Sequence, residues 1–177
     1  GSVSATYGHG RYGQGNINAN GNFRNRIMNT FGGVGYNGGT RWNEMLFDTY
    51  QNDIRLNEVN RMVADYNGFN GRWGTDFFIS KNHTLGFLVS GQTNDSDNKN
   101  NNVNIISAQA TPTQIDSILT APNVMSAKRN QTTYNVNYAF ESGKNRLNVD
   151  LDYGRFRNLA DHFQPNYYVN AAGSDTI

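Results

Sequence analysis

Between Thr133 and Phe156 the chain alternates apolar and polar residues with a period of two, in two runs separated by a short polar turn. Tyr134, Val136, Tyr138 and Phe140 interleave with Asn135, Asn137, Ala139 and Glu141. Leu147, Val149, Leu151 and Tyr153 interleave with Asn148, Asp150, Asp152 and Gly154. Successive side chains of a strand point to opposite faces, so each run predicts a strand with one apolar and one polar face. Ser142-Gly143-Lys144-Asn145 joins them with residues that tolerate hairpin backbone angles. Alternation alone fits a soluble sandwich as well as a membrane barrel. The residue types favour the barrel: an aromatic-rich apolar side and an Asn/Asp polar side suit lipid outside and a polar lumen inside.

The same pattern recurs along the chain. Val3, Ala5 and Tyr7 begin a short strand; Ile17, Ala19, Gly21 and Phe23 alternate with Asn16, Asn18, Asn20 and Asn22. Phe69, Trp73, Thr75, Phe77 and Ile79 share a parity, as do Leu85, Phe87 and Val89. Gly-rich Gly8 to Gly13 reads as a hairpin connection; a phosphate-cradling loop would need a helix after it, and alternation follows instead. Further tight turns are expected at Arg24-Asn25-Arg26 and Ser80 to His83.

Two regions lose the pattern. From Asn37 to Asp65, a helix-like spacing (Leu56, Val59, Val63, Tyr66) competes with strand alternation, and the region reads as the distal part of a long hairpin. From Thr93 to Arg129 a polar, irregular loop is expected, with a short ordered piece at Ile115 to Asn123. Beyond Arg157 the chain is expected to loop through Ala160 and Asp161 to a partial strand at Asn166 to Val169. Short turns near Asn25, Asn82 and Gly143, alternating with long connections, match the short-turn and long-loop ends of an outer-membrane barrel. The expected fold is all-β, an antiparallel up-and-down meander of about eight strands forming part of a larger transmembrane barrel. Gly1-Ser2 reads as a cloning remnant, and 3–177 as one partial barrel segment without a second domain.

Composition removes several function classes. Ten Tyr and ten Phe argue against disorder, and abundant Asn and Gly argue against helices. With a net charge of +1 and no basic stripe, nucleic acid is not an expected partner. The absence of Cys excludes disulfides and thiolate zinc sites. No apolar run is long enough for a membrane helix, which leaves barrel strands open.

Candidate chemistry is sparse. Asp150 and Asp152 resemble a catalytic pair, but on a barrel strand they join Asn135, Asn137 and Asn148 as lumen-facing residues. Leu85, Phe87, Val89, Val136, Tyr138, Leu147, Val149 and Leu151 are the expected lipid-facing set. Trp73, Tyr134, Tyr138, Phe140 and Tyr153 read as an interfacial girdle in preference to a sugar-stacking platform. Arg155 and Arg157 continue the parity of Tyr153 and so place the outer membrane boundary near it. Asp95 and Asp97 form a weak calcium candidate, since the glycine and glutamate of a helix–loop–helix calcium site would fall at Asn100 and Ile106. With Asn100, Asn101 and Asn102 they are the candidate ligand-contacting loop residues. His9, His83 and His162 lack zinc spacing, and His83 is expected in a turn facing solvent. No nucleophile elbow is present, no metal or cofactor is expected, and the chain does not read as an enzyme.

Four segments carry a family resemblance. They are Lys81-Asn82-His83-Thr84-Leu85-Gly86-Phe87-Leu88-Val89-Ser90-Gly91, Ile115-Asp116-Ser117-Ile118-Leu119-Thr120-Ala121-Pro122-Asn123, Leu147 to Gly154, and Gln164-Pro165-Asn166-Tyr167-Tyr168. In this order, across about Ser4 to Val169, the chain resembles the large outer-membrane β-barrel proteins of Bacteroidota grouped with TonB-dependent receptors. The resemblance implies a ~22-stranded parent barrel. It also implies outer-membrane lipid around that barrel, a plug domain inside it, a TonB-type energy coupler, and a small nutrient as cargo. No plug or TonB-contacting segment is recognisable within these residues. The alternative reading is a soluble β-sandwich-like surface or carbohydrate-binding module, in which the apolar faces pack on each other.

Overall fold

A computed structural model describes residues 1–170 and 173–176, so the end of the expected 3–177 segment lies outside the described residues. Every element is a strand: β1 (Ser2–His9), β2 (Gly13–Arg24), β3 (Met28–Gln51), β4 (Ile54–Phe78), β5 (His83–Ala108), β6 (Ile115–Ser142), β7 (Asn145–Phe163), β8 (Tyr167–Asn170) and β9 (Gly173–Thr176). They form one sheet in which β1 to β6 follow chain order, β7 and β8 both pair with β6, and β9 pairs with β8. Nine segments therefore occupy eight strand positions in an up-and-down meander.

The break between β7 and β8 has a local cause. β8 pairs antiparallel with β6, with Ser117 opposite Asn170 and Thr120 opposite Tyr167. Extending that register by two residues sets Pro122 against Pro165, and neither has an N–H to give to the ladder.

Asn37 to Asp65 forms the distal part of a long hairpin, in the outer halves of β3 and β4. Thr93 to Arg129, expected as an irregular loop, is instead mostly strand, in the distal halves of β5 and β6. Only Asn52-Asp53 separates β3 from β4, both with positive φ (49° and 62°), as a two-residue hairpin turn requires. Six residues, 109–114, separate β5 from β6. Length is thus built into the strands, and the sorting of short turns from long loops does not hold. Likewise β7 runs on to Phe163 where a loop through Ala160 and Asp161 was expected.

The chain divides into two compact units: Gly1–Gly39, Asn67–Asp95 and Lys128–Leu159 in the first, and Thr40–Tyr66, Ser96–Ala127 and Ala160–Ile177 in the second. Among the described residues neither unit has a core of large apolar side chains. The buried residues are small: Gly35, Gly68, Gly74, Thr75 and Gly86 in the first unit, Ala64, Ser107, Ser117, Ala121 and Ala127 in the second. No large side chain among the described residues is fully buried. The accessible surface is 12646 Å² for 19.8 kDa, against roughly 8,600 Å² for a compact monomer of that mass. That excess accords with the small size of the buried residues in each unit.

Candidate functional face

The first unit separates its side chains cleanly. Residues opposite each other in an antiparallel pair share a face. Ala5 stands opposite Ile17, and Ile17 opposite Tyr36; Ala19 stands opposite Val34. Trp73 lies beside Gly32, Phe69 beside Gly71 and Val34, and Phe77 meets Phe87 edge-on at 6.3 Å. Tyr134 stacks on Tyr153 at 6.2 Å. These contacts run strand by strand from β1 to β7 and define one apolar face. It holds all eight residues of the lipid-facing expectation. Leu147, Val149 and Leu151 are exposed, Leu151 by 68%, while Leu85, Val89 and Tyr138 are half-buried by their neighbours.

At the turn end of this face His83 departs from expectation. It is the first residue of β5, not a turn residue, because Ser80 N–H donates to its carbonyl and closes the turn before it. Its Nδ1 lies 2.6 Å from Tyr138 Oη, and its ring is 4.8 Å from that of Phe140. The aromatic cluster His83, Tyr138 and Phe140 stands at one end of the apolar face, with Tyr134 and Tyr153 farther along it.

The opposite face is built from amides laid over glycines. Asn18 and Asn70 close over Gly35 from strands on either side; a Cβ there would lie 2.4 Å from Asn18 Oδ1 and 2.9 Å from Asn70 Nδ2. Asn37 and Asn94 cover Gly68, Asn137 covers Gly86, and Phe31 with Leu88 covers Gly74. Hydrogen bonds knit the amides together: Asn22 to Asn29 (2.9 Å), Asn29 to Asp76 (3.3 Å), Asn137 to Asn135 (3.0 Å) and Asn135 to Asp152 (2.8 Å). Three residues of the lumen-facing set, Asn135, Asn137 and Asp152, are therefore joined; Asn148 and Asp150 share their parity and are exposed. Sequence reasoning missed the glycines, because what covers each one comes from a strand distant in sequence.

Asp95, Asp97, Asn100, Asn101 and Asn102 do not lie in a loop. All five are on β5, where cross-strand pairing holds a segment whose own residues carry no alternation. Asp95 faces Lys128 at 3.8 Å in the first unit. In the second unit Asn102 donates to Glu58 at 2.8 Å, and the Oδ1 of Asn100 is buried without a partner. Among the described residues no three His, Cys, Asp or Glu side chains gather as a metal site.

No family model and no curated protein matches the chain.

The second unit carries its own charge network near the β3–β4 turn. Arg55 donates to both carboxylate oxygens of Asp48, at 2.8 and 2.9 Å, and Tyr50 Oη adds a bond at 3.3 Å. The hydrogen bond from Arg55 is the main cause that holds the Asp48 carboxyl below its ordinary 3.8, and it raises the guanidinium in turn. Arg61 pairs with Glu44, Thr40 donates to Asp65, and Arg41 lies 4.2 Å over the ring of Tyr66. Both parities of β3 are apolar here: Trp42, Leu46 and Tyr50 on one, Met45 and Phe47 on the other, all exposed.

Proposed function

We propose that this chain is a wall segment of an outer-membrane β-barrel, in which the apolar face of the first unit meets lipid and the amide face lines a polar lumen. One observation carries the reading: the apolar face of the first unit runs from Val3 on β1 to Leu151 on β7 across one sheet, and its large side chains, Val3, Ile17, Tyr36, Trp73, Val149 and Leu151 among them, stay exposed. In water such a face is an association hazard; against hydrocarbon it is the stable arrangement. The segments of β2 to β7 in the first unit are 12 to 15 residues long, counted from the strand and unit bounds. Barrel strands need ~9–11 residues to cross hydrocarbon. Backbone groups of β1 and β7 with no partner within the described sheet would be paired by further strands of the complete wall, since hydrocarbon tolerates no open edge.

The finer reading rests on the motif resemblance: a TonB-dependent receptor that imports a small nutrient, with a plug in the lumen and an energy coupler at the inner side. In it this segment contributes containment and a hydrated wall, and performs no covalent chemistry. The test compares Val149→Arg with Asp150→Arg in the protein folded into lipid vesicles. Arg at Val149 is expected to cost about 2–4 kcal/mol and Arg at Asp150 far less. Equal costs would overturn the lipid-facing assignment.

A further inference from the structure

On the amide face of the first unit lies a hollow of about 440 Å³, within the size range of small-ligand sites. Its shape follows from the sequence. Gly33 stands opposite Asn20 and puts no side chain between β2 and β4, so the floor of the hollow is bare backbone. Asn18 and Asn20 form one wall, Ser90, Gln92 and Gln131 the other, and Asn70 and Arg72 rise from β4.

The wall residues are held in place by their own pairs. Asn20 donates to Ser2 at 2.9 Å, Asn18 to Asn16 at 3.3 Å, Gln92 to Gln131 at 3.1 Å, and the Ser90 and Thr133 hydroxyls meet at 2.5 Å. Each amide has more donors and acceptors than these bonds use. Arg72 differs: it is exposed, and no acid or other side chain among the described residues pairs with it. No lining residue is acidic. The next acid along that face of β4 is Asp76, about 13 Å on at strand spacing, and Asn29 already donates to it.

We infer that this hollow binds a small hydroxylated carboxylate. Arg72 takes the carboxylate through its planar fork of donors, and the amides on both walls take the hydroxyls. The hollow offers amides and hydroxyls that both give and accept, carbon surface from Ala19, Val34 and the glycines of its floor, and one fixed positive charge; that combination is complementary to a hydroxylated chain ending in a carboxylate and not to a cation. The inference uses only the amide face of the first unit and holds whichever medium meets the other face.

The test is a titration of the protein in detergent micelles, following Arg72 and Asn70 side-chain resonances by NMR. The probes are gluconate, sorbitol and inorganic phosphate. Gluconate is expected to bind at least tenfold more tightly than sorbitol, which has the hydroxyls without the charge, and than phosphate, which has the charge without the hydroxyl chain. Arg72→Gln should weaken gluconate by about tenfold to a hundredfold, the range for a hydrogen bond to a charged group. Asn70→Asp, which sets a carboxylate beside the guanidinium, should weaken it comparably, while Arg146→Gln outside the hollow should not. Equal binding of gluconate and sorbitol, phosphate binding as tightly as gluconate, or an Arg72→Gln variant that keeps full affinity would each overturn the inference. An acidic peptide that binds more tightly than gluconate would overturn it in favour of a polypeptide occupant. None of these outcomes bears on the comparison of Val149 with Asp150 in vesicles, so the two readings fail separately.

Discussion

Replacing Gly86 with alanine tests whether the amide face is packed as tightly as its geometry implies. A Cβ on Gly86 would stand 2.5 Å from Asn137 Oδ1, 2.6 Å from its Nδ2 and 2.8 Å from its Cγ. All three are closer than van der Waals contact permits, so Asn137 must rotate away. Rotation breaks its bond to Asn135, which in turn holds Asp152. The clash falls on the movable end of a side chain, so the low end of the overpacking cost applies, ~1 kcal/mol, and the lost hydrogen bond adds about 1 kcal/mol; a destabilisation of about 1–2 kcal/mol is expected. Gly21 gives the contrast. Nothing lies within 4 Å of a Cβ there, so Gly21→Ala should be neutral or stabilise by ~0.4–1 kcal/mol through the unfolded chain. Gly39 gives the other extreme, with φ of +152° and a Cβ that would sit 2.6 Å from the backbone Cα of Gln14. Neither strain nor backbone clash is relieved by a rotamer change, so Gly39→Ala should cost more than Gly86→Ala. The assay is denaturant unfolding of the protein in detergent micelles followed by tryptophan fluorescence, with midpoints compared at constant slope. If Gly86→Ala proved as harmless as Gly21→Ala, the cover of Asn137 over Gly86 would be refuted.

Two further outcomes follow from the β3–β4 hairpin. Asp48 has a folded pKa below its ordinary 3.8, so its pairing with Arg55 contributes fully above that value and is lost as pH falls through the lowered one. NMR titration of the Asp48 carboxyl should show a midpoint below 3.8, and Arg55→Gln should return it to the ordinary range; an unchanged midpoint would show that the fork does not form. Asp53→Gly relieves a positive φ of 62° at the second turn position, where glycine is favoured. It should stabilise the protein by about 0.5–1 kcal/mol in the same unfolding assay, and an unchanged midpoint would show that Asp53 carries no strain there.

The hairpin of β6 and β7 was legible because each residue's neighbours two places away agree on a face, from Tyr134 to Phe140 and from Leu147 to Tyr153. The distal half of β3 was not legible. Trp42, Leu46 and Tyr50 on one parity and Met45 and Phe47 on the other cancel any period, so the strand depends on its partner's backbone for its conformation. The run Asn94 to Asn102 fails for the opposite reason, being polar on both parities, yet it lies in β5 between neighbours that supply its ladder. The short ordered piece expected at Ile115 to Asn123 is the start of the much longer β6, in which Pro122 marks where the pairing passes from β8 to β7. The hollow beside Arg72 was invisible for a similar cause: Asn20, Gly33, Arg72 and Ser90 are scattered in sequence and meet only through strand register. Asp48 and Arg55 were within reach, since Asn52-Asp53 between them is a two-residue turn signal that pairs their strands.

The most direct measurement is a cysteine scan of β7 on a cysteine-free background, from Asn145 to Phe156, with an environment-sensitive fluorophore at each position and brominated lipid as quencher. Wall placement predicts a period of two, with strong quenching at positions 147, 149 and 151, weaker quenching at 153 near the boundary, and little at 148, 150 and 152. Quenching of the Asn148, Asp150 and Asp152 positions instead, or water-like emission throughout, would contradict the assignment of this apolar face to lipid.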